Sequence, residues 1–267
     1  MITAGASYYV AARGNAAFVP AFHTLLGTVL ATAGALALNQ YLERDVDALM
    51  LRTKTRPLPS GRLQPRDALL FGLLLVVGGV AHLWATVGAL PALLTLGSAA
   101  AYNLVYTPLK PRTHIALFAG AVPGAMPALI GWSAASVTLG VDALALFAIA
   151  FVWQMPHVLS LAWLLREDYA RAGFRLSPPT DVDGAVIGRR LVGYTLALLG
   201  VSVVPTLLGL TGWIYLGGAI LLGLGFLARS VAAWRELNVQ TARGVFFASL
   251  VYQPLLLGLM VVDAVSG

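Results

Sequence analysis

The chain has 267 residues, of which 59% are hydrophobic and only 10% charged, far below the roughly 25% charge of an ordinary soluble domain. Cysteine is absent, which excludes disulfides and thiolate metal sites, and the alternating pattern of a membrane β-barrel is missing. A formal charge of +6 would suggest nucleic acid in a soluble protein. In a chain this apolar it reads as membrane topology, with no nucleic-acid partner.

Repeated apolar runs of about 20 residues predict membrane-spanning helices, because isolated strands would leave backbone groups unpaired in lipid. In chain order the segments fall near 1–12, 17–42, 68–86, 89–107, 115–134, 141–165, 189–210, 213–229 and 244–263. Glycine, proline or charge marks the joints: Arg13-Gly14-Asn15, Pro91, Pro111, Gly140, the SPPTDVDG stretch 177–184, and Thr211-Gly212. The expectation is an all-α polytopic membrane protein, one domain over 1–267, with about nine transmembrane helices. The first segment is too short to span comfortably, so a truncated first helix is expected.

Numbering the segments places loops 43–67, 108–114, 166–190 and 229–243 on one side. They carry 16 of the 17 basic residues, with only Arg13 opposite. The positive-inside rule makes that side cytoplasmic. Nine of the 11 acids lie there too, which topology does not require. Acids gathered beside bases on one face suit a metal and phosphate site; a solvated, salt-bridged loop surface is the plain alternative.

The densest charge lies in NQYLERDVDALMLRTKTRPLPSGRL, residues 39–63. Asn39, Glu43 and Asp47 are spaced i, i+4, i+8 and share one helix face. Asp45 points away. Three hard oxygen donors in a row suit Mg²⁺, which keeps waters and binds through few carboxylates plus substrate phosphates. Arg52, Lys54, Arg56 and Arg62 follow as phosphate partners. Glu167 and Asp168, flanked by Arg166 and Arg171, form a second acidic point after the sixth segment. Two such clusters at helix ends could clamp one diphosphate, with a lipid-like tail between apolar helices. Tyr102, Asn103 and Tyr106 are candidates to line that cleft, ordinary packing being the alternative. Trp84, Trp132, Trp213 and Trp234 read as interfacial anchors.

Four stretches resemble the UbiA superfamily of intramembrane prenyltransferases, and within it the branch that farnesylates heme. They are NQYLERDVDALMLRTKTRPLPSG (39–61), YTPLKPRT (106–113) with GAVPGAMPALIGW (120–132), WQMPHVLSLAWLLREDYARAG (153–173), and LSP (176–178). The resemblance covers most of residues 20–190. It implies an active site at the cytoplasmic side of the inner (plasma) membrane and transfer of a farnesyl group from farnesyl diphosphate to the 2-vinyl group of protoheme IX. It implies Mg²⁺ as cofactor, and heme A synthase as a partner taking the product onward. By resemblance Asn39, Glu43, Asp47 and Asp168 are the catalytic and metal-holding positions. Lys110 and Arg112 lie in the diphosphate loop, with Arg52, Lys54 and Arg56 as additional contacts. Departures are Glu43 and Ala116, where the family commonly has Asp and Asn. His157, after Pro156, is read as a heme contact, or alternatively as a packing histidine. Arg189 and Arg190 read as a topology anchor at the start of the seventh helix. Two other functions stand beside this one: prenylation of an aromatic quinone precursor, and a non-catalytic heme-handling membrane protein.

Overall fold

The computed structural model describes residues 1–174 and 184–264. The LSP stretch, Arg175, Asp181 and Asp183 lie outside the described residues. Among the described residues the elements are helices: α1 (Ile2–Ala11), α2 (Phe18–Leu42), α3 (Arg44–Asp47), α4 (Pro65–Thr86) and α5 (Ala89–Ala100). A π-helical segment, Ala101–Tyr106, carries α5 into α6 (Thr107–Leu109). Then follow α7 (Ala116–Ala135), α8 (Val141–Leu164), α9 (Arg166–Arg171), α10 (Ala185–Leu207), α11 (Trp213–Arg235) and α12 (Val239–Val262). Eight helices, counting 89–109 as one, are long and apolar enough to cross a membrane. The ninth expected segment is the ten-residue α1.

Helices that are apolar all round suit lipid on one side and close packing on the other. Leu74, Leu104 and Leu221 are more than 70% exposed, as lipid-facing side chains would be. The contact between α2 and α4 is a seam of glycines. A Cβ at Gly34 would lie 2.6 Å from the Gly72 carbonyl oxygen, and one at Gly79 would lie 2.6 Å from that of Gly27. Small residues at such a seam let backbones approach and gain dispersion contact, the main source of helix association in lipid. Residues of α7, α8, α10, α11 and α12 form the largest core cluster.

Three expectations are corrected. The stretch 229–243 is helical except at 236–238. Its Ala- and Arg-rich sequence favours helix. Asn238 Oδ1 accepts from the Gln240 and Thr241 amides at 2.9 and 3.0 Å, and Thr241 Oγ1 accepts from the Asn238 amide at 3.0 Å. That reciprocal box starts α12 at Val239. Likewise α10 starts at Ala185, so Arg189 and Arg190 sit a full turn inside it. Trp84, Trp213 and Trp234 are exposed, but Trp132 is only 4% exposed. It belongs to the main core, in the part of α7 where Gly131 admits the α1 backbone at Ala4.

Candidate active site

The acid row survives the end of its helix. Glu43 is the joint between α2 and α3, with φ −96° and ψ 5°. Its amide still donates to the Asn39 carbonyl at 2.9 Å, and its carbonyl still accepts from the Asp47 amide at 2.7 Å. The i, i+4, i+8 face therefore continues across the joint. Asn39, Glu43 and Asp47 all line one polar cavity of about 160 Å³, with Arg52, Arg56 and Lys110 opposite. The three residues are 6%, 6% and 1% exposed.

Each acid has a base. Lys110 Nζ stands 2.8 Å from Glu43 Oε1, and Arg56 Nη1 donates to Asp47 Oδ2 at 2.7 Å. Lys110 also sits over the Tyr106 ring at 4.6 Å and the Phe174 ring at 5.6 Å, so its stem is packed while its charge is compensated. Asp47 Oδ1 is buried without a partner among the described residues. Asn39 Nδ2 donates to Thr107 Oγ1 at 2.9 Å, which leaves the amide oxygen as the acceptor on that side chain. The donor set is hard oxygen on one wall, with an orphaned carboxylate atom among it. It fits Mg²⁺. Among the described residues no three His, Cys, Asp or Glu side chains form a metal cage of their own, so waters and ligand phosphates would complete the shell, as is usual for this ion.

Asp168 stands apart from this cluster. It follows the end of α8 and accepts from the backbone amides of Leu51 and Arg52 at 3.1 and 3.3 Å, and from the Arg171 guanidinium. The Arg171 bond, helped by those two amides, holds its carboxyl below the usual range. In this arrangement Asp168 ties the loop after α3 to α9. Thr53 Oγ1 donates to the Asp47 carbonyl at 2.8 Å and pins the same loop at its other end, placing Arg52 and Arg56 over the cavity. Glu167 is exposed, as are Lys54 and Arg112, and none of these three lines the cavity. The sequence suggested two acidic clusters facing one diphosphate; the geometry has one acidic wall and a loop anchored by the second acid.

Tyr102 and Tyr106 form a further wall of the polar cavity and also the upper wall of a second cavity, of about 380 Å³. This one is apolar and lies between α2, α5, α7 and α8. Both tyrosines come from the π-helical segment. Such segments often mark functional sites, because the extra residue per turn re-aims side chains. Nothing in YNLVY announced it. Prolines shape the α7 wall. Pro127 has no amide to offer the Pro123 carbonyl, which accepts instead from Ser98 Oγ at 3.2 Å. Gln154, in the WQMPH run, places its amide against Gly124 and donates to the Ala121 and Ala150 carbonyls at 3.2 and 2.9 Å.

His157 lines neither cavity. Its ring is stacked between Trp153 and Phe246, with centroids 5.0 and 4.9 Å away, and its Nδ1 pairs with Ser249 Oγ at 2.8 Å. It sits on the α12 side of α8. His23 and His82 pair with each other at 3.2 Å between α2 and α4.

A helical membrane bundle, with a charged cavity at one rim that shares Tyr102 and Tyr106 with an apolar one between the helices, defines a class. It is an intramembrane enzyme for a substrate with an anionic head and a hydrocarbon tail. The chain belongs to the UbiA prenyltransferase family, whose model matches residues 1–251. A protein of Solibacter usitatus (strain Ellin6076) named protoheme IX farnesyltransferase is 47% identical over 241 residues, covering 90% of this chain and 82% of that one. Two solved structures share the fold. One, of digeranylgeranylglyceryl phosphate synthase, aligns at TM-score 0.82 and 17% identity over 99% of this chain and 92% of that one. The other, a UbiA homolog from Archaeoglobus fulgidus bound to DMAPP and Mg²⁺, aligns at TM-score 0.68 and 18% identity over 98% and 95%.

Proposed function

We propose that this protein transfers the farnesyl group of farnesyl diphosphate to the 2-vinyl group of protoheme IX, giving heme O for conversion to heme A. The observation that carries prenyl transfer is the pair of cavities joined at Tyr102 and Tyr106. The heme acceptor rests on the relatives named protoheme IX farnesyltransferase, 36–47% identical to this chain.

In this reading Lys110, Arg52 and Arg56 receive the diphosphate. Asn39, Glu43 and Asp47 would hold Mg²⁺, which when bound neutralises charge on the departing diphosphate. The bond from farnesyl C1 to the bridging oxygen breaks, and its electron pair leaves with the diphosphate. The terminal vinyl carbon bonds to C1. The other vinyl carbon becomes cationic, takes the oxygen of water and releases a proton. Tyr102 and Tyr106 line both cavities, so C1 would lie near them, and aromatic rings favour a cation. Asp168 positions the basic loop. His157 is the proposed heme contact, lying on the far side of α8 from the prenyl cavity. The one-sided basic loops support a plasma-membrane orientation with the active rim cytoplasmic, where heme A synthase would receive product.

The test is turnover in membranes supplied with protoheme, farnesyl diphosphate and Mg²⁺. Heme O identified by mass, and lost on chelation, is the expected result. Folded protein that leaves heme unmodified but prenylates an aromatic acid would overturn the reading.

A further inference from the structure

Thr107 is buried and lines neither cavity. Its partner Asn39, also buried, lies 68 residues earlier on α2. Threonine in a helix commonly bonds its hydroxyl to a carbonyl three or four residues back. Thr24, Thr28, Thr95 and Thr195 all bond four back. Thr107 bonds five back, to the Tyr102 carbonyl at 2.9 Å, and that carbonyl also accepts from the Thr107 amide. The wider π-helical turn sets both bonds. With the hydroxyl so placed, Asn39 Nδ2 donates to Thr107 Oγ1 at 2.9 Å.

The direction of these bonds decides the chemistry. A hydroxyl has a single proton to donate. That of Thr107 is committed to the Tyr102 carbonyl, so toward Asn39 its oxygen can only accept. An amide side chain has a donor end and an acceptor end of nearly the same shape. Turned over, Asn39 would set its oxygen against Thr107 Oγ1 with no proton between them and would offer N–H groups to the cavity. As it stands, Thr107 holds the nitrogen, and the oxygen is the polar atom left for the cavity that Asn39 lines with Glu43 and Asp47. A hard divalent cation takes oxygen ligands and is repelled by N–H groups. We infer that Thr107 is a positioning residue: its hydroxyl fixes the Asn39 amide with the oxygen toward the acid row, in the register that the π-helical turn supplies. This rests on the reading of Asn39 as a Mg²⁺ ligand and goes beyond it by naming what orients that ligand.

The experiment is calorimetric titration of Mg²⁺ into the full chain in detergent, in the presence of farnesyl thiolodiphosphate. Thr107→Val keeps the side-chain shape and removes the hydroxyl. Losing a residue that orients a metal ligand typically costs about 10–100-fold in metal affinity, so Thr107→Val should weaken Mg²⁺ binding by roughly tenfold or more. Thr107→Ser, which keeps the hydroxyl, should bind Mg²⁺ like wild type. In Asn39→Asp both ends of the side chain are oxygen and no orientation is left to choose, so adding Thr107→Val there should change Mg²⁺ affinity little. The inference is overturned, with Asn39 still a ligand, by unchanged affinity in Thr107→Val, by an equal loss in Thr107→Ser, or by a loss as large in Asn39→Asp as in wild type. Wild type that binds no Mg²⁺ beside the analogue overturns the metal reading and this inference with it. Should Thr107→Val fail to fold, Thr107→Ala decides. It leaves room for a water, which donates as readily as it accepts, so the amide is free to turn and the affinity should still fall.

Discussion

Lys110→Met separates what the pocket charges do for folding from what they do for catalysis. Lys110 and Glu43 are 2.8 Å apart, with side chains 11% and 8% exposed. Removing one member leaves the other as an uncompensated charge with little water. Breaking a buried pair in this way costs about 3–5 kcal/mol. The cavity admits some solvent, so the low end, about 3 kcal/mol, applies. At roughly 2–4 °C per kcal/mol, the melting temperature in detergent should fall by roughly 6–12 °C. The double variant Lys110→Met/Glu43→Gln has no orphan charge and should recover most of that loss, while Lys110→Met, Glu43→Gln and the double variant all lose farnesyl transfer. The assay is thermal unfolding by intrinsic fluorescence in parallel with product mass. A Lys110→Met protein that melts with wild type, or a double variant that melts below both singles, would refute the argument.

Other outcomes follow from the geometry. Asp168→Ala should abolish or severely reduce turnover in a folded protein and raise KM for farnesyl diphosphate, because Arg52 and Arg56 lose their anchored loop; full activity refutes this. A carboxyl held below its usual value of 3.8 contributes stability above that pH and loses it only as pH falls through the lower folded value. The Asp168 anchor should therefore be constant across neutral pH in a stability–pH profile, and Asp168→Asn should weaken it at every point. His157→Ala, which empties the stack between Trp153 and Phe246, should raise KM for heme more than KM for farnesyl diphosphate; equal heme affinity removes it from the heme site. Gly34→Ala should destabilise by about 1–3 kcal/mol, since the new methyl meets backbone. Gly78→Ala, with nothing within 4 Å of its Cβ, should change stability by less than about 0.5 kcal/mol.

The parts of the site that follow a repeating geometry were legible in the sequence. Asn39, Glu43 and Asp47 share a face because helical spacing alone puts them there, and one non-helical residue did not disturb it. Apolar length located the spans for the same reason. What was not legible depended on contacts distant in sequence. Glu167 and Arg171 beside it show Asp168 as part of an acidic point, but nothing local announces that it also accepts from the amides of Leu51 and Arg52, 117 and 116 residues away. Lys54 and Arg112 carry the right charge but face water; charge type says nothing about which way a loop folds. The π-helical segment differs from ordinary helix by one residue per turn, and no residue type in 101–106 enforces that. The α11–α12 turn was the opposite case. Its Asn-x-x-Thr box was present in the sequence, and charge alone had marked the stretch as a loop.

The pairing inside the polar cavity carries one more consequence. Its acids and bases are each other's partners: Lys110 with Glu43, Arg56 with Asp47. A divalent cation arriving alone would have to take both carboxylates from their bases and leave two cations facing it. A diphosphate arriving alone would draw Lys110 and Arg56 away and leave two buried carboxylates unpaired. Arriving together, the two ligands exchange every partner and orphan none. Binding of either should therefore strengthen the other, and by linkage the factor must be the same in both directions. An effect of at least tenfold lies within the usual range of such couplings, about 5–150-fold. Calorimetric titration of Mg²⁺ into the protein, with and without a non-hydrolysable farnesyl thiolodiphosphate, measures it directly. In Lys110→Met/Glu43→Gln half of the exchange is gone, and the coupling should shrink. Mg²⁺ affinity that ignores the analogue in wild type would mean that the two ion pairs are structural and that diphosphate is held elsewhere.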